Sequence, residues 1–278
     1  MKMNLRHYLR AINAENIKEW KIELTYRVDF IRGLFEPLFY VLPAILYGMA
    51  IVGGRYSENL EKLTGTGNLI TYTVIGYVFM GFLETAVWGM GFALRKEQWY
   101  GTIEQVFAAP VPRWVYVMGM ALHSTMHQGL IIIMQSVVIY FIFGLVLDIS
   151  GILPSLLIIG IMMISLYGLG ILLSSLVLIF KEGWIISEIL YSFMIIVTPI
   201  AYPLAVLPSI LQKISMYMPT TYGISTIRHF LIGESLGFSV FDAVLRLLAI
   251  GVLWVIFGLF IFNIVDRRVR NKGELGTY

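Results

Sequence analysis

The chain of 278 residues has no cysteine, which excludes disulfides and thiolate metal sites. Charge is also scarce. Charged residues make up 13% of the chain, against roughly 25% in a soluble domain. That leaves too little polar surface to cover a water-soluble globule of this size. Net charge is only +3, which argues against a nucleic-acid partner. There is no G-x-x-x-x-G-K-[ST] run, so no loop is built to cradle nucleotide phosphates. The first 29 residues carry Lys2, Arg6, Arg10, Lys18 and Lys21 with no apolar core, unlike a cleaved signal peptide.

Long apolar runs fill the space that charge leaves. Apolar residues make up 58% and mean hydropathy is +0.81. A helix that crosses a bilayer needs about 20 such residues. Six runs qualify, at 30–52, 69–94, 114–147, 152–180, 184–202 and 243–265. The expected fold is an all-α integral membrane protein with six transmembrane helices. Residues 1–29 alternate basic and apolar character and read as an amphipathic helix lying in the interface. Residues 30–265 form the membrane domain, and 266–278 a tail. Lys and Arg favour the cytoplasmic side. Six spans put Lys2, Arg6, Arg10, Lys18, Lys21, Arg27, Arg32, Arg95, Lys96, Arg113, Lys181, Arg267, Arg268, Arg270 and Lys272 on one side. Only Arg55, Lys62, Lys213, Arg228 and Arg246 fall on the other. Both termini are therefore expected in the cytoplasm, with segment 95–113.

Several polar residues interrupt the apolar runs. Pro37 and Pro43 should bend the first span, because each removes a backbone hydrogen bond. Glu84 sits deep in the second, and Glu188 near the start of the fifth. An ionisable group at such depth faces the bundle interior or a wet cavity; substrate contact, proton site and helix-packing bond all stay open. His123 and His127 share a helix face, but the H-E-x-x-H pattern fails, so they read as packing groups. Gly170 and Ser174 mark a close helix approach. The outer segment 204–233 is apolar but broken by prolines. It reads as two short re-entrant helices, the second capped by Thr220 or Thr221.

The most polar insert is 95–113. Thr102 with Gln105 fits a capping box, and Pro110 and Pro112 stop the helix that follows. Two turns at 103–109 are too short to stand alone in water. Ile103, Val106 and Phe107 form one apolar face. It packs either on the bundle or on a cytoplasmic partner.

Arg95, Gly101-Thr102-x-Glu104 and Ala109-Pro110-x-Pro112-Arg113 resemble the cytoplasmic segment after the second span in permeases of type-2 ATP-binding-cassette (ABC) exporters. Tyr202-Pro203, Leu207-Pro208, Pro219-x-x-Tyr222 and Arg228-x-x-x-x-Gly233 resemble that family's outer-loop signature. Ile200-Ala201 and Met218 depart from its pattern. The resemblance implies a multi-pass permease of the plasma (inner) membrane with no enzyme activity of its own. It implies a separate ATPase subunit that binds ATP and Mg, with two copies of each subunit and a homodimeric permease surrounded by membrane lipids. The chain itself would carry no cofactor. Gly101, Thr102, Ile103, Glu104, Val106, Phe107, Pro110 and Arg113 would couple to the ATPase, and Ile103→Asp would uncouple it without unfolding the permease. The first and fifth spans would form the path. Glu84, Tyr202, Pro203, Tyr222 and Arg228 are candidates for that path or for helix packing. Cargo in the family includes lipid-linked glycans, drugs, peptides and lipids. The competing reading is an ATP-independent secondary transporter or channel using Glu84, Glu188 and His123, which predicts an internal repeat; the halves show none.

Overall fold

The computed structural model describes residues 4–180 and 182–272. Lys2, Lys181 and residues 273–278, counted above for sidedness and the tail, lie outside them. The described residues are helical apart from short turns and one isolated antiparallel bridge, Tyr56 to Asn68.

Helix α1 (Leu5–Thr25) ends at Tyr26, and α2 (Arg27–Phe35) follows at once. Pro37 then separates α2 from α3 (Leu38–Val52), as expected, whereas Pro43 is accommodated inside α3. An outer loop holds the short α4 (Glu58–Thr64), capped by the Ser57 hydroxyl. Asn68 caps α5 (Leu69–Glu84) through its side chain, which accepts from Thr71 N at 3.1 Å. The helix then widens into a π-helical turn, Thr85–Met90. After it come α6 (Ala93–Trp99) and α7 (Ile103–Ala108). Two long helices follow, α8 (Arg113–Phe143) and α9 (Ile152–Ile179). Then come α10 (Gly183–Val197), α11 (Ser209–Ser215), α12 (Pro219–Ile232) and α13 (Val240–Lys272).

Among the described residues, five helical stretches are long and apolar enough to cross a membrane: Arg27–Val52, Leu69–Met90, Arg113–Phe143, Ile149–Ile179 and Val240–Val269. The fifth apolar run forms a helix of only 15 residues, Gly183–Val197. It ends at Thr198-Pro199, where the chain turns into an irregular segment. Proline there removes the donor that a further turn would need.

Helix α5 is the centre of the bundle. Its apolar window is 83% buried, against 17% for Arg27–Val52 and 22% for α13. The two outer helices thus offer most of their apolar surface to lipid or to another subunit. Helix α13 runs along α9 at close range: a Cβ on Gly258 would lie 2.3 Å from Gly168 O. Small residues allow such approach where no hydrophobic effect drives helices together. Gly170 packs instead on Met90 of the π-helical turn.

Helix α12 starts at Pro219. Thr220 and Thr221 do not cap it. Thr220 Oγ1 pairs with Thr198 Oγ1 at 2.7 Å and Thr221 Oγ1 with Ser215 Oγ at 2.8 Å. These bonds tie α12 to the end of α10 and to α11. Proline suits a first helical position because its missing N–H is not needed there.

Candidate functional site

Two regions concentrate polar chemistry: the α6–α7 elbow and a cavity beside Glu84. At the elbow, α6 stops at Trp99 and the chain reverses through Gly101, whose φ of +70° needs glycine. Backbone closure follows from Thr102 N to Glu97 O at 2.9 Å. The Thr102 hydroxyl does not make the expected capping box. It donates to the Glu97 carboxylate, and α7 has no side-chain cap. A full carboxylate is a stronger acceptor than a backbone group is a donor, so Thr102 turns backwards.

Glu97 is the hub of this region. It is 5% exposed. Besides Thr102 it accepts from Tyr116 Oη at 2.6 Å and from Lys18 Nζ at 3.0 Å. Lys18 also meets Glu15 at 2.7 Å and Glu19 at 3.2 Å, while Lys96 pairs with Glu19 at 2.5 Å. Three carboxylates, Glu15, Glu19 and Glu97, lie close enough together to hold a metal ion. The Lys18 ammonium bonds all three and Lys96 adds a second cation, so two positive charges already occupy the cluster. Burial alone would raise the Glu97 carboxyl. Hydrogen bonds from Thr102, Tyr116 and Lys18 outweigh it and hold the group below its ordinary value. One carboxylate thereby joins α1, the elbow and α8. Composition gave no sign of this, because its partners lie 79 and 19 residues away.

Arg113 closes the other end of α7. Its guanidinium donates to Phe107 O at 2.6 Å and covers the Phe107 ring at 4.7 Å. It also reaches Asp266 of α13 at 3.8 Å. A cation on the last carbonyls of a helix satisfies groups that have no partner within it.

The structure shows how far the bundle covers the α7 stripe. Ile103 is 4% exposed and belongs to a core shared with Leu94, Tyr116 and Val117; Val106 and Phe107 pack against that core. Ile103 is thus covered by the bundle, while Val106 and Phe107 are half-buried against it. What remains open is Trp99, Tyr100, Gly101, Glu104, Gln105, Ala108 and Pro110. Trp99 and Tyr100 are 66% and 64% exposed, two large rings on an outward corner. Helix α1 lies beside this corner, along α8. It turns Asn16, Glu19 and Trp20 inward and leaves Leu5, Leu9, Ile17 and Leu24 exposed.

The second region is a cavity of about 550 Å³ bounded by α2–α3, α5 with its π-helical turn, α8 and α10. Glu84 lines it, as does Glu36. Glu188 stands apart on the exposed side of α10 and accepts from Ser192 Oγ at 3.3 Å. His123 faces α1, not the cavity. Its Nε2 lies 3.3 Å from Glu23, and the Trp20 ring meets it edge-on at 4.8 Å. The His pair thus serves packing against α1, with His127 also reaching the cavity wall.

None of the four outer-loop candidates lines that cavity. Tyr202 bonds to Ile196 O, and Pro203 is buried. Tyr222 is 2% exposed and accepts from Arg246 at 3.2 Å. Arg228 is fully buried. It donates to Pro199 O at 2.6 Å, to Tyr72 O at 2.9 Å and to Ile200 O, and lies 3.6 Å over the Tyr72 ring. A buried guanidinium needs every donor met, and here three carbonyls of irregular or helical backbone meet them. Arg228 is a clamp on the turn after α10.

Comparison with known proteins gives one family. A family model described as ABC-2 type transporter matches residues 18–232, a span that holds both the elbow and the cavity. No curated protein matches the chain.

Proposed function

The chain belongs to the ABC-2 type transporter family, and we propose from that premise that it is the membrane subunit of an ATP-driven exporter. The observation that carries the reading is the elbow. Trp99, Tyr100, Glu104, Gln105 and Ala108 form an exposed corner, while the rest of α6 and α7 is fixed by Glu97, Arg113 and Ile103. A rigid element with an open corner suits transmission of a rigid-body movement from an ATPase subunit bound there. The ATP and Mg would belong to that partner, and two copies of each subunit would make the working assembly.

In this reading α10 completes a sixth crossing, short because the chain leaves the bundle at Pro199. Both termini, the elbow and α1 lie in the cytoplasm, and cargo moves outward. Helices α11 and α12 form an outer plug that enters the membrane without crossing it. The low burial of α2–α3 and α13 leaves surface for lipids and a second copy of the chain.

Because the chain has no cysteine, a single Gln105→Cys is the only thiol and can carry a photo-crosslinker. The expected product joins this chain to an ABC ATPase whose hydrolysis rises when the two are reconstituted together. Failure to crosslink an ATPase, together with transport that continues without ATP, would favour the secondary-transporter reading built on Glu84.

A further inference from the structure

We propose that the cavity beside Glu84 binds an organic cation, with the charge met by Glu84 and the body held by aromatic rings. This rests on the permease reading and assigns that permease its substrate class. Four observations point the same way. Among the described residues Glu84 has no hydrogen bond and no ion pair; its side chain is exposed and lines the cavity from an apolar helix. A carboxylate at such a position needs a cation or a proton. Glu36 adds a second carboxylate to the wall and, among the described residues, pairs only with Arg32, at 3.7 Å. Gln135, 1% exposed, also lines the cavity, and its Oε1 has no partner. A buried acceptor without a donor is costly.

Four aromatic residues, Tyr40, Tyr77, Trp88 and Tyr191, share the wall with aliphatic side chains. Such rings attract a cation, Trp most of all. Among the described residues no Lys or Arg lines the cavity. The Gln128 amide on the wall is turned to Val78 O, to which it donates at 3.3 Å. An anionic cargo would meet two carboxylates, with His127 the one basic side chain among the described wall residues. A volume of about 550 Å³ falls within the range of about 300–1,000 Å³ typical of small-molecule sites.

The test is binding to the full chain, with whatever subunits purify with it, in nanodiscs without nucleotide. Tetraphenylphosphonium and tetraphenylborate have the same shape and opposite charge. The expected result is saturable binding of the cation and none of the anion. Glu84→Gln should weaken the cation by about tenfold or more, and Glu84→Asp by far less, since one lost charge contact is of that order. Equal binding of both ions, no saturable binding of the cation, or unchanged affinity in a monodisperse Glu84→Gln protein overturns the proposal. If Glu84→Gln does not fold, the sign preference of the unmodified protein decides. The assay does not depend on ATP. Loss of binding therefore sinks the cation assignment alone, and failure of an ATPase to associate sinks the permease reading alone.

Discussion

A single carboxylate, Glu97, decides the shape of the elbow. It is the acceptor for Thr102, Tyr116 and Lys18 at once. Its carboxyl is held below its ordinary value of 4.5 because those bonds outweigh burial. A depressed carboxyl stabilises the fold above its unfolded value and loses that contribution as pH falls through the folded value. The elbow should therefore keep its full stability down to about pH 4.5 and loosen below it. Glu97→Gln removes the charge but keeps the shape, leaving Lys18 to Glu15 and Glu19. The expected cost is about 2 kcal/mol, the order of hydrogen bonds to a charged group, since Lys18 keeps two carboxylates. Thermal melting against pH checks both parts: a lower midpoint at neutral pH and a weaker acid dependence. An unchanged melting profile would show that Glu97 does not hold the elbow.

The elements α6 and α7 show how far a sequence pattern reaches. The prolines at 110 and 112 placed the end of the helix within one residue, and the Ile103–Val106–Phe107 stripe was the right stripe. What the pattern leaves open is which surface covers it. An apolar face on a two-turn helix looks the same whether a partner or the bundle buries it, and here Tyr116 and Val117 do so from a distant segment. Ile103→Asp is therefore expected to lower the amount of folded protein, since it places a charge in a core. Ala108→Asp, on the exposed side, should leave folded protein at the normal level while reducing ATP-dependent transport by about tenfold or more, the scale of one lost interface contact. Size-exclusion profiles alongside transport rates separate the two. Full coupling in the Ala108→Asp protein would move the docking surface away from α7. Glu97 and the tyrosine-lined cavity were illegible for the same reason: their members come from helices far apart in the chain. Only Glu84, a charge alone in an apolar run, announced itself.

At the scale of the whole molecule, hydropathy identified the helices better than it identified their lengths. Five runs became long helices; the one at 184–202 stops at Val197 because Pro199 ends it. The outer segment was read as short and apolar, yet α12 is among the most buried helices, fixed by Arg228 and paired threonines that no periodicity reveals. Sidedness is open to direct test in a chain free of cysteine. Asn59→Cys in α4 should react with a membrane-impermeant maleimide on intact cells. Gln105→Cys should react only after permeabilisation. The reverse pattern would invert the proposed topology and with it the direction of transport.

The Arg228 clamp reaches further than its own side chain. A Cβ on Gly76 would fall 1.8 Å from Ile200 O and 2.4 Å from the Arg228 guanidinium. Position 76 can hold no side chain while the clamp stands. Loss of the arginine alone would strand the carbonyls of Tyr72, Pro199 and Ile200. Neither site can drift by single steps. Across descendants of this gene, glycine at 76 and arginine at 228 should both be kept, although 152 positions separate them.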